Sequence, residues 1–148
     1  MSDGDVQWRE LGTEMLERAA GENRQEFDSF FLSRLLGFEV SYPHDETCLV
    51  RFEVLPTLFN PQGSLHGGVL ATALDISMGH LLRRRAGAGA TLEMKVQYIA
   101  PVKSGFVECR ASFLRQGRGI SYLLSHAFRD DGELAAHATA TWKSLKPA

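Results

Sequence analysis

From Gly67 to Leu82 the chain is apolar in every direction. Val69, Leu70, Ala73, Leu74, Ile76, Met78, Leu81 and Leu82 go nearly all the way round a helix instead of forming one stripe. Such a helix must be enclosed, so the rest of the chain has to supply a wrapper. The run is shorter than the ~20 residues that cross a bilayer, which makes the enclosure protein and not lipid. The spacing predicts a helix from Gly67 or Gly68 to about Arg84, with Asp75 its only acid.

The flanking patterns describe the wrapper. Phe38, Val40 and Tyr42 alternate with polar residues, Pro43 to Glu46 make a turn, and Cys48, Val50, Phe52 and Val54 alternate again, so a hairpin with one buried face is expected. After the helix come four strand patterns. Leu92, Met94, Val96 and Tyr98 share a face, as do Val107, Cys109, Ala111 and Phe113; Ile120 to Phe128 follow, then Leu134 to Trp142. The connections Pro101 to Gly105, Gln116 to Gly119 and Asp131-Gly132 are short, which predicts a four-stranded antiparallel meander. A sheet curled round one helix gives an α+β architecture. Two helical patterns precede it. One runs from Val6 to Ala20, with Trp8, Leu11, Met15 and Ala19 in register. The other runs from a cap at Asn23 to Gly37, with Phe27, Phe30, Phe31 and Leu35 on one side.

At 148 residues and 44% hydrophobic, the chain can build one core and no second one. The expected division is one domain over 1–148, with an N-terminal helical extension at 1–36 and a core at 37–143. Lys and Arg number 16 against 18 acids, which gives no electrostatic reason to expect nucleic acid. Arg83-Arg84-Arg85 reads as a solvated helix end. The start of the chain is acidic and lacks the marks of a signal peptide. Cys48 and Cys109 read as buried thiols of a reducing compartment. A cytoplasmic protein off the membrane is therefore expected. His44, His66, His80, His126 and His137 have no metal-ligand spacing, so neither a metal nor a bound cofactor is expected. Ser64 lies in no nucleophile elbow, and Gly87-Ala88-Gly89 lacks the strand and third glycine of a dinucleotide loop.

Two features carry chemistry. Gly67 and Gly68 open the helix, where free N–H groups and the positive dipole end can hold a developing oxyanion; a plain tight turn is the alternative. Asp75 is a carboxylate in an apolar helix with no cation nearer than Arg83, two turns on, and an unpaired buried acid marks a site. Asp75 lies seven residues past Gly68, so about 10 Å separates them along the axis. If both serve one reaction, the carboxylate comes from a second copy, through antiparallel helices across a two-fold axis. His80 reads as a packing residue on the helix face.

Asn60, then His66-Gly67-Gly68 six residues on, then Asp75 nine beyond the histidine, closely resembles the PaaI-like hotdog acyl-CoA thioesterases. Met94-Lys95-Val96-Gln97-Tyr98-Ile99-Ala100-Pro101, followed by Lys103-Ser104-Gly105, is similar to the same family, and the resemblance spans about Phe38 to Trp142. It implies the hotdog fold and hydrolysis of acyl-CoA thioesters at the interface of a dimer, commonly within a tetramer that is a dimer of dimers. It implies that Gly67 N–H polarises the carbonyl and that Asn60 and His66 shape that pocket beside Gly68. Asp75 of the partner subunit would be general base or nucleophile, with Thr91 helping to position water. Lys103, Arg115 and Arg118 would be contacts for CoA phosphates, although each taken alone reads first as a cation of a solvated turn. Two other functions remain open: an acyl-thioester dehydratase with His66 as base, and a non-catalytic acyl-CoA binding protein.

Overall fold

The computed structural model describes residues 3–22 and 24–146. Helix α1 (Asp3–Ala20) and the short α2 (Phe31–Leu36) lead into strands β1 (Glu39–His44) and β2 (Thr47–Glu53). A single 3-10 turn (Pro56–Leu58) precedes the long helix α3 (Gly67–Ala86), and β3 (Gly89–Tyr98), β4 (Phe106–Arg115), β5 (Ile120–Arg129) and β6 (Leu134–Ser144) complete the chain. All six strands form one antiparallel sheet in the order β1-β2-β4-β5-β6-β3.

The sheet wraps α3, which packs on β2, β3, β4, β5 and β6. Leu70, Ala73, Leu74, Met78, Leu81 and Leu82 are all buried, as the absence of a polar stripe requires. The inner face of β6 is Ala136, Ala138, Ala140 and Trp142, and its three alanines leave room for the helix. Cys48 and Cys109 are buried and unlinked on neighbouring strands of the same core.

Three expectations are corrected. The four strands after α3 do not form a meander: β4, β5 and β6 do, but β3 lies at the far edge beside β6, and β4 pairs with β2. The connection 99–105 is short but leaves the sheet. Ile99 and Ala100 donate to Ala135 O, Leu65 donates to Val102 O, and Val54 donates to Gly105 O. Those bonds carry the chain from the β6 side across to the β2 side, past the start of α3.

The second correction is Leu92. Thr91 faces Trp142 and Glu93 faces Thr141, so Leu92 is the unpaired residue of a β-bulge and is 54% exposed. Only Met94 and Val96 of the predicted apolar face pack on the core.

The third is the second helix, which is only Phe31–Leu36. The Asn23 cap lies outside the described residues. Arg34 explains the shortening: its guanidinium donates to the carbonyls of Arg24 and Ser29, acceptors that a longer helix would have used itself, and to those of Ala19 and Glu22 ahead of it. Phe27 and Phe30 therefore sit on an irregular segment stapled by one arginine. On α1, Met15 and Ala19 are buried but Trp8 is exposed, so only the C-terminal half of that stripe is covered.

Candidate active site

His66 caps α3, its Nδ1 accepting from Gly68 N–H at 2.9 Å. The N–H groups of Val69 and Leu70 both donate to His66 O. Of the first-turn donors, Gly67 N–H alone has no acceptor among the described residues. Tyr98 packs against Gly67, where a Cβ would meet its ring at 3.1 Å, and its hydroxyl donates to Gly67 O at 2.7 Å. Sequence reasoning passed over Tyr98, because as a strand residue it looked like core.

Asn60 shapes the loop ahead of the helix. Its Oδ1 accepts from the N–H groups of Gln62 and Ser64, and its Nδ2 donates to Ser64 Oγ. Asn60, Gly67 and Tyr98 together line a groove of about 340 Å³ whose far side is the 98–102 segment.

Asp75 is half-buried in the middle of α3, and Thr91 Oγ1 donates to its Oδ1 at 2.8 Å. The Leu92 bulge makes this contact possible. Opposed residues share a face, so the shift puts Thr91 beside inward-facing Trp142 instead of outside. Burial raises the Asp75 carboxyl above the ordinary carboxylate value, and the Thr91 hydrogen bond draws it partly back. No cation pairs with Asp75 among the described residues; Arg83 stacks on Phe27 instead.

Asp75 and Thr91 line a second cavity, of about 270 Å³. The structure thus brings together Asn60, His66, Gly67 and Gly68 at one end of α3, and Asp75 with Thr91 at its middle. It does not bring the two groups to each other within one chain: eight residues of helix put Gly67 roughly 12 Å from Asp75. The cations are also divided. Lys103 lies in the connection beside the Gly67 groove, whereas Arg115 and Arg118 flank the opposite turn, a ten-residue strand or roughly 30 Å away.

His80 is buried on the cavity wall with its Nδ1 2.9 Å from Tyr42 Oη and its ring against Phe27. Burial holds its pKa down to about 4, so it is neutral. His80 Nε2 and Trp142 Nε1 are both buried without a hydrogen-bond partner, and such an orphan costs about 1–3 kcal/mol. Among the described residues no three His, Cys, Asp or Glu side chains gather as a metal site, and no helix is long and apolar enough to cross a membrane.

A family model described as the thioesterase superfamily matches residues 62–136. The chain belongs to the thioesterase superfamily. The matched stretch includes His66, Gly67, Gly68, Asp75 and Thr91, whereas Asn60 lies just ahead of it. The medium/long-chain acyl-CoA thioesterase YigI of Escherichia coli is 27% identical over 128 residues, 74% of this chain and 83% of that one. Acyl-coenzyme A thioesterase 13 of Mus musculus is 30% identical over 83 residues, 54% of this chain and 58% of that one. Among solved structures, the BH2602 protein of Bacillus halodurans, crystallised with CoA, superposes with a TM-score of 0.84 at 22% identity, covering 100% of this chain and 97% of that one. The curled sheet around α3 is therefore the hotdog fold, with helices added at its N-terminus.

Proposed function

We propose that this protein hydrolyses acyl-CoA thioesters in a homodimer, with water activated by one subunit's carboxylate and the thioester held at the other's helix. The observation that carries the reading is Asp75: a half-buried carboxylate gripped by a hydroxyl and matched to no cation. Burial that raises its pKa also makes the ionised carboxylate a stronger base. Its neighbours in the superfamily support the same chemistry, since YigI and acyl-coenzyme A thioesterase 13 act, by their names, on acyl-CoA.

The open Gly67 N–H, at the positive end of α3, donates to the thioester carbonyl oxygen and stabilises the oxyanion as it forms. Asp75 of the partner subunit takes a proton from water, the water oxygen bonds to the carbonyl carbon, and the C–S bond breaks. The departing CoA sulfur recovers a proton and free acid leaves. Direct attack by the carboxylate instead expels the CoA thiolate and forms an anhydride, which water then hydrolyses to free acid and the carboxylate. Thr91 fixes the carboxylate's orientation, while Asn60 and His66 hold the loop that presents Gly67. Lys103, Arg115 and Arg118 are candidates for the CoA phosphates, and pairing of dimers into a tetramer extends the same scheme.

The dehydratase alternative asks His66 to be the base. Its Nδ1 lone pair is already occupied by Gly68 N–H, which leaves Nε2 as the protonated nitrogen and a donor. A thiol-release screen over acyl-CoAs of graded length, run beside Asp75→Asn, tests the reading. Wild type should release CoA, and the variant should lose about 10²–10⁴ in kcat with its fold intact. Equal turnover by both proteins rejects Asp75 as catalyst, and tight binding without thiol release by wild type selects the binding-protein alternative.

A further inference from the structure

Tyr98 ends the inward face of β3. Met94 and Val96 on that face pack on the core, but β3 runs out where α3 begins. The Tyr98 ring therefore lies on the first turn of the helix and stays 56% exposed. So exposed a ring contributes little as core, yet its hydroxyl donates to Gly67 O at 2.7 Å. Partial burial raises the phenol above its ordinary value, so the hydroxyl keeps its proton and remains a donor.

That bond closes a clamp. The peptide unit between Gly67 and Gly68 is held at both ends, its carbonyl oxygen by Tyr98 Oη and its N–H, at 2.9 Å, by His66 Nδ1. A peptide unit is planar and rigid, so two fixed ends leave it no swing. The unit before it, between His66 and Gly67, is anchored through its oxygen by the N–H groups of Val69 and Leu70, and its own N–H is the unclaimed donor. Gly67 is the joint between the two units, and a glycine joint has the widest backbone freedom. The Tyr98 ring stands 3.1 Å from where a Cβ would be, so it restricts that joint from outside.

We infer that Tyr98 is a positioning residue for the hydrolysis: by holding the Gly67 carbonyl it keeps Gly67 N–H aimed at the thioester oxygen. The inference rests on the reading of Gly67 N–H as the oxyanion donor. An oxyanion hole works because its donors need no rearrangement as charge develops, and Tyr98 removes the loose joint behind this one. The same 98–102 segment grips the approach to the helix a second time, where Leu65 N–H donates to Val102 O.

Tyr98→Phe keeps the ring and deletes only the hydroxyl. Thiol release should fall about fivefold to tenfold in kcat, the worth of one hydrogen bond. KM should stay within about twofold, and the thermal midpoint within about 2 °C. In a Gly67→Pro background, which has no N–H to aim, Tyr98→Phe should cost nothing further. A CoA thioether with a ketone one methylene beyond the sulfur cannot be cleaved and reads the donor by calorimetry. Wild type should bind it more tightly than the same thioether lacking the oxygen. Tyr98→Phe should lose about fivefold of that preference and leave binding of the second compound unchanged. An unchanged kcat in Tyr98→Phe, a loss confined to KM, or a full further loss in the Gly67→Pro background overturns the inference, as does equal binding of the two thioethers by wild type. If wild type cleaves no acyl-CoA but the ketone preference follows the expected pattern, the positioning role stands and the hydrolase reading falls.

Discussion

The two working stretches of α3 are built in opposite ways. Its first turn is open: Gly67 N–H is unclaimed, His66 and Gly68 are exposed, and a surface groove runs alongside. Eight residues on, Asp75 is half-buried, held by Thr91 and backed by a pocket lined by Phe27, Phe30 and Trp142. An oxyanion needs donors that are free, and a base needs surroundings that disfavour its charge. One helix supplies both environments, but about 12 Å apart, so in the proposed reaction each chain carries two halves that it cannot assemble alone.

The strongest challenge to that contrast is to put one defect in each half. Gly67→Pro removes the N–H while His66, at ψ 131°, already has the backbone that a following proline requires. Its ring carbons must displace Tyr98 by a few tenths of an ångström. The expected loss is about 10²–10³ in kcat with α3 retained, checked by thiol release and circular dichroism. Co-expressed Gly67→Pro and Asp75→Asn chains should then recover about a quarter of wild-type activity, since half the dimers are mixed and each mixed dimer has one intact site. No recovery would mean that both halves serve a site within one chain.

A milder comparison puts the same methyl group in both environments. Gly79→Ala drives a Cβ into Trp142 and should cost about 1–3 kcal/mol, seen as a lower thermal midpoint. Gly68→Ala meets only the exposed His66 ring, at 3.0 Å, and gains helix propensity, so its midpoint should hold or rise slightly. Thr91→Val gives the smallest expected change. The Thr91 hydrogen bond lowers the Asp75 pKa, so its loss raises it further above the ordinary value. Because the base works ionised, the acid limb of the kcat/KM profile should move to higher pH, with the alkaline side unchanged.

Much of this was legible because it depends on local pattern. The enclosed helix, the first hairpin, the inward faces of β2, β4 and β6, and Asp75 as an unpaired acid all follow from spacing and burial cost. What escaped depends on contacts between distant residues. Two carbonyls claimed by Arg34, those of Arg24 and Ser29, shorten a helix whose own periodicity is sound. A short connection that looks like a hairpin instead crosses the fold, because its bonding partners are Ala135, Leu65 and Val54. His80 looked like packing, and only the unpartnered Nε2 and the cavity beside it distinguish it from an ordinary core histidine.

The unpaired residue at Leu92 acts as a half-step adapter between two readings of one strand. Downstream of it, even-numbered Met94 and Val96 point inward; upstream, odd-numbered Thr91 does. Deleting that one residue would leave Thr91 opposite Trp142, whereas pairing Leu92 itself with Trp142 would turn the Thr91 hydroxyl out to solvent and leave the downstream packing untouched. Chemistry at the carboxylate and cohesion of the core are thereby separately adjustable along a single edge of the sheet.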